Sequence, residues 1–186
     1  MPLSKIGCIS DTHGLLRPQA IAALEGSDII LHAGDVGVAE ILDGLKNCLI
    51  CAVRGNVDYG EGLSNLPITE VVEFAKQHFY MIHILDDLDI DPAAAGMEMV
   101  IYGHSHIPSI EERNGVIFLN PGSAGRRRFD LPVTVAQILI RDGKLEPVII
   151  DLPNHATAVK LLLPQKLLRA TNRYQHKNIN SLCFCD

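Results

Sequence analysis

The chain has 186 residues and a formal charge of −6, with 47% hydrophobic and 20% charged side chains. That is enough chain for one domain burying roughly 70% of the surface its unfolded form exposes. No apolar run approaches the ~20 residues needed to span a bilayer, so a soluble protein without membrane partners is expected, and the acidic balance excludes general nucleic-acid binding through a basic face.

Lys5 to Ser10 is a short apolar run leading directly into Asp11-Thr12-His13. It is too short for the core of an export signal, which makes the cytoplasm the expected compartment. Pro18, a residue suited to a first helical turn, opens a predicted helix. Asp28 to Ala33 is the second apolar run; Gly34-Asp35 follows it, and Val38 to Leu45 carries an amphipathic helical pattern. The third run, Leu49 to Val53, ends at Arg54-Gly55-Asn56. Short apolar runs alternating with helices predict βαβ units with a parallel sheet, whose ligands gather beyond the C-terminal strand ends, where all three motifs fall.

Beyond Asn56 the pattern turns to strands. Ile68 to Phe74 and His78 to Ile84 flank Ala75-Lys76-Gln77 as a hairpin, with His83 near its end. Asp91-Pro92-Ala93-Ala94-Ala95 reads as N-cap, first-turn proline and a short helix closed by Gly96. Met99 to Tyr102 then delivers Gly103-His104-Ser105-His106. Two further hairpins are predicted, Ser109 to Arg113 with Val116 to Asn120 across Asn114-Gly115, and Val133 to Ile140 with Leu145 to Ile150 across Asp142-Gly143. The expected core has two sheets, a mixed one from the first half and a more antiparallel one from the second, with helices on the outer faces.

Residues 1–154 form the expected domain. Residues 155–186 read as a helix from Ala156 to Arg169, interrupted by Pro164, and a polar, partly disordered tail. This segment holds Lys160, Lys166, Arg169, Arg173 and Lys177 against Asp186 alone, a balance of +4, which leaves −10 on the rest of the −6 chain. An acidic body and a basic tail attract each other or a neighbouring subunit. Of five cysteines, Cys8, Cys48 and Cys51 lie in apolar runs, and Cys48-x-x-Cys51 has no partner pair at zinc-finger spacing; these and Cys183-x-Cys185 read as free thiols of a reducing compartment.

The recurring motifs carry a ligand chemistry. Two divalent cations about 3.5–4 Å apart need a bridging carboxylate and further ligands on each side. Asp35 is the natural bridge; Asp11 and His13 can reach one ion together, Asn56 offers an uncharged oxygen to the other, and His83, His104 and His106 supply imidazole nitrogen. Mixed nitrogen and oxygen donors suit manganese, iron, zinc, nickel or cobalt better than magnesium or calcium. Two dications set against Asp11, Asp35 and a bridging hydroxide leave about +1, a charge that draws in a phosphoester. The remaining singular residues have plainer readings: His32 as packed or behind the site, His78, His155 and His176 as surface, and Asn120 to Gly122 as a turn supporting the ligand loops. Arg126-Arg127-Arg128 is a solvated run or a phosphate or subunit contact, and Arg54 meets a phosphate or Asp58.

In their order, Asp-x-His, Gly-Asp, Gly-Asn, a distal His and Gly-His-x-His resemble the calcineurin-like metallophosphoesterase superfamily. The short length and Asn120-Pro121-Gly122-Ser123 resemble its small bacterial and archaeal phosphodiesterase branch. The resemblance covers roughly residues 5–150. It implies an α/β fold, a four-layer α/β/β/α sandwich with two mixed β-sheets; a small phosphoester substrate; two divalent ions, manganese favoured with nickel, iron, zinc or cobalt open; and a homo-oligomer. It implies that Asp11, His13, Asp35 and His106 hold the first metal and Asp35, Asn56, His83 and His104 the second, with a metal-bridging hydroxide as nucleophile.

Two positions depart from that pattern. Where many members have Gly-Asn-His, whose histidine helps protonate the leaving group, this chain has Gly55-Asn56-Val57; and where His-Gly is common it has His83-Ile84. Valine cannot donate a proton, so phosphodiesters with good leaving groups are favoured over phosphomonoesters. A scaffold similar to the metallophosphoesterase-like subunit of the retromer complex is the rival, and His13 with the complete later set favours the enzyme.

Overall fold

The computed structural model describes residues 3–46 and 48–153. The helix and tail expected over 155–186, with His155, His176, Cys183 and Cys185, lie outside the described residues.

The first sheet is built on β1 (Ser4–Ile9), whose partners on one side are β2 (Ile29–His32) and β3 (Leu49–Ala52), all parallel. Between β1 and β2 runs α1 (Pro18–Leu24), and between β2 and β3 α2 (Glu40–Gly44), shorter than the amphipathic pattern predicted. The second sheet runs β4 (Thr69–Phe74), β5 (Gln77–Ile82), β6 (Met99–Ile101), β8 (Val116–Asn120), β7 (Ser109–Arg113), with β5, β6 and β8 parallel and the two edge strands antiparallel. The last hairpin, β9 (Thr134–Arg141) and β10 (Lys144–Asp151), does not join it: β9 returns to pair antiparallel with β1, Cys8 opposite Ala136. Each five-stranded sheet thus has two parallel and two antiparallel pairings, rather than one mixed and one mainly antiparallel. Hairpin signals are local and name no partner strand; β9 has Ala136, Ile138 and Ile140 to bury on one face and Val135 on the other, and β1 is where both faces are covered.

Period-two alternation sorts the side chains into layers. Ile6, Cys8, Ile29 and Leu31 of the first sheet face Phe79, Met81, Met99, Ile101 and Leu119 of the second across one apolar core. Ile9, Ile30 and Val135 point the other way and pack with Ala20, Ala23 and Leu24 of α1. Tyr80, Ile82, Val100, Tyr102 and Phe118 form the outer face of the second sheet, covered by Leu85, Leu88, Ile90 and Met97. The expected four-layer α/β/β/α sandwich is therefore present, with a thin outer layer on the second sheet: a 3₁₀ turn at Leu85–Asp87 and one hydrogen-bonded turn in place of the short helix expected after Asp91. Asp91 Oδ1 still accepts from the amides of Ala93 and Ala94, but Gly96 at φ +73° ends the turn at once. All three hairpins use two-residue turns with positive φ, including Ala75 (51°) and Lys76 (65°), so Gln77 belongs to β5 and not to the connection. Among the described residues no helix is long and apolar enough to cross a membrane.

Candidate metal centre

Both parallel triplets end at one edge of the sandwich. Past the end of β1 and β2 the two chains keep pairing, Asp11 N to Gly34 O, His13 N to Asp35 O and Gly14 N to Val36 O at 3.0, 3.0 and 2.8 Å, which sets the first two motifs side by side. On the other sheet Gly103 N donates to His83 O at 3.0 Å, drawing the last motif alongside β5. The two sheets are joined there by the amide of His104, which donates to Asp11 Oδ2 at 3.2 Å. All seven residues expected as ligands come together in this way.

Their donor atoms fall into two adjoining groups. In one, Asp11 Oδ1 lies 3.2 Å from His106 Nε2, His106 Nε2 lies 3.2 Å from His13 Nε2, and His13 Nε2 lies 3.8 Å from Asp35 Oδ2. In the other, His83 Nε2 lies 3.3 Å from Asp35 Oδ1 and 3.1 Å from Asn56 Oδ1, which is 2.9 Å from His104 Nδ1. Asp35 thus turns one oxygen to each group.

The donor set fits cations because it lacks protons. Asp11 Oδ2 is already served by Ser10 Oγ at 2.7 Å and by the His104 amide, whereas its Oδ1 is buried with no hydrogen-bond partner among the described residues. An orphaned buried carboxylate oxygen is costly unless a cation meets it. His83 Nδ1 donates to Ala33 O at 2.7 Å, so in the neutral ring Nε2 presents a lone pair to the oxygens of Asp35 and Asn56. Two lone-pair carriers facing each other need a proton or a metal between them. The proton affinities of three of these groups depart from their ordinary values. Burial depresses His83, but the bond to Asp35 and the Ala33 carbonyl outweigh it and raise the imidazole above its ordinary value. Burial raises Asp35, yet His83, the Val57 amide and His13 hold it below the usual carboxylate range. His13 is lowered, first by burial, with Asp35 opposing and Arg128 adding to the shift.

The motif glycines have steric causes. A Cβ on Gly55 would stand 2.1 Å from Asp35 N and Oδ1, and one on Gly34, at φ +90°, would stand 2.6 Å from His83 Nδ1. Five of the seven ligand-type residues, Asp11, His13, Asp35, His104 and His106, hold positive φ from 46° to 69°. Strain of this kind costs of order 1–3 kcal/mol per residue and gathers at functional sites.

Several supporting residues emerge only in three dimensions. Asp58, fully buried, accepts from the amides of Val36, Gly37 and Gly55 at 3.1, 2.8 and 2.9 Å, tying the Asp35 loop to the Asn56 loop. Arg54 therefore does not pair with it and donates to Ser64 O instead. The signal was an acid two residues past Asn56 in a turn, a position that accepts backbone amides. His32 is buried behind the centre, its Nε2 3.0 Å from Thr12 Oγ1; because that hydroxyl donates to Val36 O at 2.9 Å, the imidazole proton sits on Nε2. Asn120 holds the carbonyl of Gly103 and the hydroxyl of Ser105 as a supporting residue should. Of the three arginines, Arg128 reaches the centre, with Nη2 3.4 Å from His13 Nε2 and no carboxylate in ion-pair range among the described residues. His78 is a surface residue, 3.5 Å from Glu98.

The chain matches the model of the calcineurin-like phosphoesterase superfamily domain over residues 5–143. It is 34% identical over 163 residues to a probable metallophosphoesterase of Methanocaldococcus jannaschii, covering 79% of this chain and 81% of that one. Phosphodiesterase YfcE of Escherichia coli is 31% identical over 147 residues, covering 65% and 79%. The solved structure of an archaeal phosphodiesterase superposes with a TM-score of 0.66 at 25% identity, covering 78% of this chain and 99% of that one. With the fold, the order of the motifs and the family model in agreement, this chain belongs to the calcineurin-like phosphoesterase superfamily.

Proposed function

We propose that the protein is a two-metal phosphodiesterase in which Asp11, His13, Asp35 and His106 hold one divalent ion and Asp35, Asn56, His83 and His104 hold the other. The observation that carries this reading is Asp35, whose Oδ1 faces His83 at 3.3 Å and whose Oδ2 faces His13 at 3.8 Å. Manganese is favoured, with nickel, iron, zinc and cobalt compatible with the same nitrogen and oxygen donors. When bound, such ions act as Lewis acids on the phosphoryl oxygens and turn water into a nucleophile at neutral pH.

The chain's own residues do the rest. Arg128, whose Nη2 lies 3.4 Å from His13 Nε2, would donate to a non-bridging oxygen of the phosphoryl group, stabilising charge that grows there. Ser10, Asp58 and His32 hold the loops in register and keep the ligand atoms aimed inward. Val57 occupies the position next to Asn56 and supplies no proton, which favours a diester with a stable leaving anion over a monoester. Free thiols at Cys8, Cys48 and Cys51 agree with a cytoplasmic site of action.

The test is hydrolysis of an activated aryl phosphodiester by the manganese-loaded protein, with metal content measured on the same sample. Two ions per chain and turnover of the diester well above the corresponding monoester are expected. Full occupancy without turnover refutes the proposal and leaves the scaffold reading; faster turnover of the monoester refutes the diester preference alone.

A further inference from the structure

Beside Asn56 and His83 the surface folds into a cleft of about 230 Å³ that is also lined by Arg54, Tyr59, Ile68, Ile82, Ile84 and Asp87. Two of its apolar members are open, Tyr59 at 75% and Ile68 at 60% exposure, and both stand next to a charged centre rather than scattered over the surface. Isolated exposed apolar residues are ordinary. An aromatic ring and three isoleucines meet in one shallow hollow, continuous with two of the metal-ligand residues, and give apolar contact beside the polar groups of Arg54, Asn56, His83 and Asp87, enough for part of a small molecule.

Arg54 and Asp87 bring one charge of each sign, so the cleft has no net attraction for a second anionic group. One guanidinium nitrogen of Arg54 is already engaged by Ser64 O. The walls therefore select by shape and apolarity. A flat ring laid against Tyr59 and the isoleucine side chains gains both burial and stacking, whereas a methyl or sugar group gains little.

We propose that this cleft is the leaving-group subsite of the centre and that it selects phosphodiesters whose departing alcohol is a phenol. The inference rests on the phosphodiesterase reading and deepens it. The cleft opens on the Asn56 side, and Val57, the neighbouring residue, offers no acid. A phenol removes the need for one. Water gives up one proton to bulk solvent and supplies the oxygen of the new bond to phosphorus; the bond from phosphorus to the ring-bearing oxygen breaks, and its electron pair departs on a phenolate whose conjugate acid has a pKa of about 10. An alkoxide, close to the 15.7 of bulk water, would require protonation as it left. Shape selection and the missing acid thus point to the same substrate class. Ile84, standing where a glycine would leave open space, is the specificity-determining residue together with Tyr59.

Binding separates this from catalysis. Two phosphinates whose substituents are both joined through carbon have no ester bond to hydrolyse and carry the same charge: benzyl(methyl)phosphinate, shaped like a phenyl ester, and dimethylphosphinate. Calorimetry on the full-length, manganese-loaded chain should show the benzyl compound binding about tenfold more tightly. Y59A should remove most of that advantage and I84G part of it, while dimethylphosphinate binding and metal content stay as in the parent. Equal affinity for both compounds in the parent, or a preference that survives both substitutions, overturns the subsite while leaving the phosphodiesterase reading in place. If neither compound binds the fully loaded protein, the phosphoester-binding part of the proposed function falls and takes the subsite with it, while the measured metal content still stands.

Discussion

Replacing Asp58 tests how the centre is held together. Its side chain is fully buried, and its two oxygens accept three backbone amides, Val36 and Gly55 on Oδ2 and Gly37 on Oδ1. In D58A all three amides lose their acceptor. A hydrogen bond to a charged group is worth about 1.5–3 kcal/mol, and water entering the vacated space recovers part of the loss, so the net cost should be about 3–5 kcal/mol. That is a large fraction of the roughly 5–15 kcal/mol that holds a domain folded. D58N should cost less, about 1.5–3 kcal/mol, because its carbonyl oxygen can keep Val36 and Gly55 while its amide group confronts Gly37. Urea unfolding in excess chelator measures both. Because the lost bonds join the Asp35 loop to the Asn56 loop, metal affinity should also fall about 10–100-fold in a manganese titration of the folded variants. A D58A protein that loses under ~1 kcal/mol and binds manganese like the parent would show that the ligand loops are held by something else.

Other outcomes follow from the same geometry. G55A places a methyl group 2.1 Å from Asp35 N and Oδ1 and must displace that residue; with shifts near 1 Å, activity should drop about 100-fold, and unaltered kcat/KM would contradict the close approach. Manganese at about 100 times its Kd should stabilise the fold by ~2.7 kcal/mol and raise Tm by roughly 5–10 °C, an increment that chelator abolishes; a Tm indifferent to both would speak against a bound cation. R128A should lower kcat/KM for a diester about tenfold or more with metal content unchanged, and an unchanged kcat/KM would remove Arg128 from the phosphate. Burial holds His32 down to about 4, against the pull of Asp58, Asp11 and Asp35 and with His83 adding to the depression. The folded state therefore binds fewer protons than the unfolded one between pH 4 and 6.5. Stability is full above that window and declines through it on acidification, by roughly 3 kcal/mol. H32Q, compared with the parent in chelator, should flatten that decline; parallel curves would mean that His32 is not buried neutral.

Much of this centre was legible in one dimension because its chemistry is local. Asp11-Thr12-His13, Gly34-Asp35, Gly55-Asn56 and Gly103-His104-Ser105-His106 each follow an apolar run, and strands of a parallel arrangement end on the same side by geometry, so convergence at one edge could be anticipated. The hairpins at Asn114-Gly115 and Asp142-Gly143 were equally plain, since φ > 0 at both turn positions favours those residue types. Ala75-Lys76 adopts the same turn without the usual residues, which is why its connection read one residue too long.

The residues decided only by the tertiary structure are those whose partners are distant in sequence. That β9 pairs with β1, that Asp58 gathers amides from Val36 and Gly37, and that Arg128 ends beside His13 all depend on contacts spanning from about 20 to more than 100 positions, for which a linear pattern carries no signal. Periodicity and turn chemistry act between neighbours and so determine elements and the ends from which the candidate ligands project. Pairing, burial and the orientation of individual oxygens depend on which faces must be covered at once, and that is a property of the whole packed sandwich.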